Sequence, residues 1–211
     1  MDKREFTKHL KEYWGLDEFK IVGKGAGAVS FENGEKEILL SYSKFPGKFI
    51  LSPGLLGFVS FPEVEEILEK YYTRHSVGYN LKTIYTTSRR VEDFELQTIA
   101  TLEDIEKATP NYREMLELDI FPFFDTYTSL EKIASKIDSL SLNKLSDFIF
   151  SPLHLRIMTI KRLVRDKDWE SYANETMRIY KEQATGKYKA SFEPFYRFLP
   201  DLFEELKNME V

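Results

Sequence analysis

The spacing of apolar residues changes along the chain, and this change constrains the fold more than any other sequence feature. Residues 19–22, 28–31 and 38–42 are short runs rich in β-branched and aromatic side chains. Asn33-Gly34, between the last two runs, is typical of a tight β-hairpin turn because both residues tolerate positive φ. The N-terminal third is therefore predicted to be a meander of antiparallel strands.

Two proline-glycine pairs divide the apolar sequence that follows. Pro46-Gly47 precedes residues 49–51, and Pro53-Gly54 separates those residues from a second run at 55–61. Each run is predicted to be a separate strand. Further strands are predicted at 81–87 and 94–101.

Helical spacing of apolar residues dominates after Thr101. Pro110 is expected to end one short helix before another begins. Helices are predicted at 3–14, 62–77, 102–108, 111–118, 129–140, 152–164, 168–184 and 201–209. The helices at 152–164 and 168–184 are joined by a tight turn and are predicted to form an αα-hairpin.

Strands gathered early and helices gathered late indicate the α+β class rather than alternating βαβ units. The prediction is an N-terminal antiparallel β meander with flanking helices and a mainly helical C-terminal half that includes the αα-hairpin. The 211 residues suit one domain over 1–211. A soft internal boundary near residue 101 separates a β-rich part, 1–101, from a helical part, 102–211.

Composition excludes several classes of site. The chain has no cysteine, so disulfides, thiol nucleophiles and cysteine metal sites are excluded. The N-terminal residues have no apolar stretch typical of a secretory signal. No run approaches the roughly 18 consecutive apolar residues of a membrane span. A cytoplasmic location without membrane association is predicted.

Charge is distributed unevenly although the net charge of −5 is mild. Residues 103–119 hold six acidic and two basic side chains, a local net of −4. Residues 156–189 hold nine basic and five acidic side chains, a local net of +4. This asymmetry is able to steer a partner, but two solvated helical faces that cancel each other are the more ordinary explanation. The overall acidity argues against nucleic acid as the main ligand.

Motifs that carry chemistry are absent from the sequence or incomplete. The glycines at 23, 25 and 27 lack the G-x-G-x-x-G spacing and the following helix of a dinucleotide-binding loop. His9, His75 and His154 have no paired metal-ligand spacing, and His154 is expected at the surface. No serine lies in a G-x-S-x-G elbow. No cofactor and no metal site are predicted.

Two other segments admit a functional and a structural interpretation. Asp119 and Asp125 flank a strand-like aromatic run, and a carboxylate pair is able to perform acid–base chemistry. Carboxylates beside an aromatic run are also common as caps and solubilising edges. Residues 79–90 interleave aromatic and basic side chains, which on a sheet face would suit single-stranded nucleic acid. A strand followed by a charged turn explains the same residues.

The layout of the chain resembles that of a group of small proteins. A leading helix precedes a glycine-punctuated meander, an aromatic segment with Phe123-Phe124-Asp125, and then a helical hairpin. This order is similar to that of small uncharacterised bacterial α+β domains, some of which are immunity-type proteins of polymorphic toxin systems. The resemblance implies binding to a toxin domain rather than catalysis, and it transfers no site residue.

Three hypotheses follow. The first is a non-enzymatic protein-binding, immunity-like module that occludes the basic cleft of a partner through an acidic patch, with aromatic side chains as anchors. The second is an enzyme, a hydrolase or a nucleotide-handling enzyme, with a dispersed Asp/Glu/His site. The third is a structural or adaptor domain that forms a homodimer through its aromatic face. The candidate patch residues are Glu103, Asp104, Glu114, Glu117 and Asp119. The sequence does not decide whether Phe121, Phe123 and Phe124 are core or surface.

Overall fold

The computed structural model describes residues 1–23, 25, 27–88 and 97–210. The predicted α+β class is confirmed, with an antiparallel sheet built from the N-terminal meander and mainly helical sequence after it. The chain divides into two compact units that are interleaved in sequence. The first unit is Met1–Val59 with Tyr85–Tyr127, and the second is Ser60–Ile84 with Thr128–Val211. The boundary predicted near residue 101 falls within the first unit.

The strands and the helices are each numbered in chain order. The strands are β1 (Lys20–Gly23), β2 (Ala28–Asn33), β3 (Lys36–Phe45), β4 (Lys48–Val59), β5 (Ile84–Thr87) and β6 (Thr98–Ile99). The helices are α1 (Lys3–Trp14), α2 (Pro62–Arg74), α3 (Leu102–Met115), α4 (Phe121–Thr126), α5 (Leu130–Ser139), α6 (Leu142–Leu145), α7 (Leu153–Leu163), α8 (Trp169–Thr185), α9 (Lys189–Tyr196) and α10 (Leu199–Asn208). A π-helical segment, Leu116–Ile120, connects α3 to α4.

The sheet has the order β1-β2-β3-β4-β5, and β6 pairs with β4. Strands β1 to β4 are antiparallel neighbours in sequence order, as a meander requires. The β2–β3 hairpin turns at Gly34, whose φ is 59°, and the β3–β4 hairpin turns at Gly47, whose φ is 72°. Glycine adopts this left-handed conformation without the steric penalty of a Cβ atom. Both turns lie where the sequence predicts them.

Strand β4 is continuous through Pro53-Gly54, so the predicted break there is wrong. The register with β3 moves from Tyr42↔Leu51 to Leu40↔Leu55, which places extra β4 residues opposite one residue of β3. Pro53 lies within this bulge. Because the bulged residues leave the regular ladder, the missing N–H of proline removes no hydrogen bond from it.

The predicted break at Pro110 is also wrong. Helix α3 runs from Leu102 to Met115 with Pro110 inside it, and the π-helical segment continues its path into α4. Pro110 is exposed, so the carbonyl that lacks its N–H partner lies on the solvent side, where water is able to bind it. The strand-like interpretation of the run after Asp119 fails for a related reason, because Pro122 lies in the first turn of α4, where a helix accepts proline.

Aromatic stacking fills the core of the first unit. Phe6 of α1 stacks on Phe49 of β4 with ring centroids 4.1 Å apart and meets Tyr42 edge-on. Trp14 at the end of α1 stacks on Tyr112 of α3 at 4.7 Å. Large rings of this kind bury much apolar area each. They fix α1 and α3 in the first unit, from which the candidate site is built.

Helices make up most of the second unit, to which β5 contributes Ile84. Helices α7 and α8 pack against each other across a short turn at Arg165, and Trp169 Nε1 donates to the carbonyl of Met158 at 2.9 Å. The predicted helices at 152–164 and 168–184 correspond to α7 and α8. Helices α9 and α10 form a bent helical hairpin, of which α9 was not predicted. In the described residues, no helix combines the length and apolarity needed to cross a membrane.

Candidate protein-binding surface

Helix α3 and the π-helical segment after it carry three of the predicted acidic residues on their outward side. Glu103 and Glu114 are exposed on α3, and Glu117 is exposed just beyond it in the π-helical segment. Their separations, eleven and three residues, correspond to about three turns and just under one turn of helix, which places them on one side of it. The opposite side is buried and holds Ile105, Ala108, Tyr112 and Met115. Burial of that side in the first unit turns the acidic side to solvent.

Asp104 caps the start of α3 and does not belong to the outward face of this helix. Its carboxylate accepts hydrogen bonds from the N–H groups of Ala100 and Thr101 at 2.9 and 2.8 Å and from the Thr101 hydroxyl at 2.9 Å. The Thr101 hydroxyl in turn accepts from the N–H of Asp104. These hydrogen bonds hold the pKa of Asp104 below its ordinary value. Asp104 is therefore part of a capping box.

The other predicted acidic residues differ in the ion pairs that they form within the chain. Lys107 Nζ lies 2.7 Å from Glu103 Oε1, and Arg113 Nε lies 3.9 Å from Glu117 Oε1. Exposed pairs of this kind are weak and exchange readily with other partners. Asp119 is half-buried in the π-helical segment. Glu114 has no hydrogen-bond or ion-pair partner within the described part of the chain.

A cleft of about 530 Å³ opens in the same unit. Three segments line it, the loop after α1, the β2–β3 turn and α4. The lining residues are Gly15, Asp17, Glu18, Phe19, Asn33, Lys36, Phe121, Phe124 and Asp125. Three of these side chains are acidic, one is basic and three are aromatic. We call this site the acidic cleft.

The loop after α1 directs two carboxylates outward for a local reason. Gly15 ends α1 in the left-handed conformation with φ of 70°. Leu16 and Phe19 then insert into the core, so Asp17 and Glu18 between them remain exposed. No described residue forms an ion pair with either carboxylate.

Helix α4 supplies the aromatic wall and the third carboxylate. Phe121, Phe124 and Asp125 are spaced by three and four residues, which places them on one side of the helix. Phe124 is 2% exposed and Phe123 is 8% exposed, so both belong to the core, whereas Phe121 is half-buried. Lys36 Nζ lies 5.6 Å from the centre of the Phe124 ring, within cation–π range.

The acidic face of α3 and the acidic cleft are neighbours. Nη2 of Arg113 on α3 lies 4.0 Å from the position that a Cβ atom would take on Gly15, at the edge of the cleft. Both features belong to the first unit. We call Glu103, Glu114 and Glu117 together with the acidic cleft the acidic surface.

None of the three histidines lines the acidic cleft, and each has different contacts. His9 Nδ1 lies 3.3 Å from Glu12 within α1, and His75 follows α2 with its ring against Phe198. His154 was expected at the surface but is half-buried, with Nδ1 2.8 Å from the Tyr172 hydroxyl. In the described residues, no group of three or more His, Cys, Asp or Glu side chains could hold a metal ion.

The structure places the other residues that the sequence analysis singled out in different regions, some of them outside the described residues. Asp125 lines the acidic cleft, whereas Asp119 is not among the residues that line it. Lys24 and Ala26 of the glycine-rich segment lie outside the described residues, as do Arg89 and Arg90 of the aromatic and basic segment. The predicted strand at 94–101 lies partly outside them, and its described part contains β6.

Sequence reasoning missed Asp17, Glu18, Phe19 and Lys36 as site residues. A carboxylate pair directly after a helix-ending glycine is a local signal that could have drawn attention to Asp17 and Glu18. Nothing in the sequence, however, indicates that residues 17–19, 33–36 and 121–125 meet. Comparisons of the chain with protein-family models, curated proteins and solved structures found no match.

Proposed function

We propose that this protein is a non-enzymatic, immunity-like binding module of the bacterial cytoplasm, which occludes a basic surface of a partner protein. The observation that carries the proposal is a group of exposed carboxylates without described ion-pair partners, Glu114 on α3 and Asp17, Glu18 and Asp125 at the cleft. Such a carboxylate is able to pair with a partner's lysine or arginine without first breaking a bond in its own chain.

The aromatic lining of the cleft supports the same function. Protein interfaces usually combine a small apolar centre with a polar or charged rim. Phe121 is half-buried beside the buried rings of Phe19 and Phe124, and exposed carboxylates surround them. In this mode of binding, Phe121 supplies contact area while the carboxylates select a basic partner and orient it.

Charge reversal tests the proposal. Glu114→Lys with Glu117→Lys changes the α3 face, and Asp17→Lys with Asp125→Lys changes the cleft. Both pairs lie at exposed positions, so the fold is expected to tolerate them. Asp104 is excluded because its substitution would weaken the start of α3. We expect each pair to lower affinity for a partner captured from the native cells at least tenfold, as measured by calorimetry.

The matched control is Glu66→Lys with Glu204→Lys. These residues are exposed on α2 and α10 and change the net charge by the same amount. If the control pair lowered the affinity as much as both test pairs do, net charge alone would explain the loss. The acidic surface would then no longer be the proposed binding site. A mass that doubles with concentration in the isolated protein would instead favour the homodimeric adaptor.

A further inference from the structure

A histidine and a tyrosine join two helices of the second unit. His154 is the second residue of α7, and its Nδ1 lies 2.8 Å from the hydroxyl of Tyr172 on α8. The imidazole also packs against the Tyr172 ring at 6.1 Å and meets the Tyr180 ring edge-on at 6.4 Å. One imidazole therefore contacts α8 at two positions two helical turns apart.

The surroundings of His154 favour the neutral imidazole. The residue is half-buried, and the first turn of a helix disfavours a positive charge. Within the described residues, the one charge that acts on the imidazole is the carboxylate of Glu175 on α8. Arg178 already holds that carboxylate through two hydrogen bonds of 2.8 and 2.6 Å. Arg156, two residues along α7, is fully committed to other acceptors.

Protonation would reverse the hydrogen bond between the two side chains. In the neutral imidazole, Nδ1 is able to accept from the Tyr172 hydroxyl, whereas in the imidazolium both nitrogens carry hydrogen and only donate. The hydroxyl hydrogen would then have to turn away from Nδ1, and the hydrogen bond between Tyr172 and the Thr176 side chain would have to rearrange with it. Burial lowers the pKa of His154, and the Glu175 carboxylate opposes this only in part.

We propose that the His154–Tyr172 contact is an acid-sensitive latch, which fastens α8 to α7 while the imidazole is neutral and releases it on protonation. The unfolded histidine, with a pKa of about 6.5, binds its proton before the packed one does. The latched arrangement therefore loses stability as the pH falls below about 6.5, by up to about tenfold in the closed-to-open ratio per pH unit. This latch lies in the second unit and does not depend on the acidic surface.

Titration of the imidazole signals by NMR tests the latch in the unaltered protein. We expect the pKa of His154 to lie below that of the same residue in the denatured chain. Tyr172→Phe removes the hydroxyl that is able to donate to the neutral imidazole, so it should raise this pKa. A His154 pKa at or above its value in the denatured chain would overturn the proposal. An unchanged His154 pKa in Tyr172→Phe would also overturn it, because the hydroxyl would then not stabilise the neutral imidazole.

Amide hydrogen exchange measures the release itself. Between pH 7 and pH 5, after correction for intrinsic rates, the wild type is expected to lose protection in the first turns of α7 and α8. His154→Gln keeps a polar side chain but does not titrate, so its protection should not change over this range. His9→Gln in α1 is the control and should behave as the wild type does. The same loss in His154→Gln, or no loss in the wild type, would contradict the latch.

Discussion

At the scale of the residue, Arg156 shows how one buried charge is accommodated. Its guanidinium is fully buried, and all five of its N–H groups have acceptors. Nε and Nη2 donate to the two carboxylate oxygens of Glu65 at 2.8 and 2.7 Å. The carbonyls of Phe150, Ser151 and Asn80 accept the remaining hydrogens. This arrangement fixes α7 to α2 inside the second unit.

Removal of the arginine should therefore be severe. Arg156→Leu leaves the buried Glu65 carboxylate with the Thr83 hydroxyl, at 2.7 Å, as its remaining donor among the described residues. Breaking a buried ion pair from one side typically destabilises a protein by about 3–5 kcal/mol. We expect a loss of this size in urea unfolding followed by circular dichroism. Arg178→Leu, which removes an exposed cation, is the comparison, and equal losses in the two variants would contradict this account.

At the scale of the element, the start of α3 decides where the acidic face begins. Thr101 and Asp104 form a reciprocal capping box, and the helix then continues past Pro110. The cap satisfies backbone N–H groups that no helical carbonyl reaches. The position of Glu103 and of the residues that follow it thus depends on two side chains that do not belong to the proposed interface.

Two changes test the cap. Thr101→Ala should destabilise the first unit by about 1 kcal/mol, because it removes the acceptor for the Asp104 N–H. The lowered pKa of Asp104 means that its charge stabilises the fold above the unfolded pKa, about 3.9, and that this contribution disappears as the pH falls through the folded pKa. The stability difference between wild type and Asp104→Asn should shrink below pH 4 in thermal unfolding. A constant difference down to pH 2 would contradict the role of the charge.

Elements were predictable where a local signal decides the backbone. Gly34 and Gly47 supply the positive φ that their turns need, so both hairpins follow from the sequence. Pro53 and Pro110 led to wrong predictions of a strand break and a helix end. A bulge accommodates Pro53 and an exposed helical face accommodates Pro110, although a local rule treats both prolines as breaks. These outcomes depend on pairing and burial, which only the folded chain defines.

At the scale of the whole molecule, the acidic surface arises from segments that are far apart in sequence. The acidic stretch on α3 was evident from composition, but Asp17, Glu18 and Lys36 join it only through folding of the first unit. The two units are themselves interleaved, which no change in composition marks. Sequence reasoning therefore reached the fold class and the acidic residues of α3, and the cleft required the three-dimensional structure.

Carboxyl footprinting with and without the captured partner tests the proposed function most directly. Carbodiimide coupling labels exposed carboxylates, and mass spectrometry locates each labelled residue. The proposed function predicts that the partner protects Asp17, Glu114 and Asp125 from labelling, while Glu66 and Glu204 are labelled equally in both states. Protection at Glu66 and Glu204 with unchanged labelling of the acidic surface would contradict it.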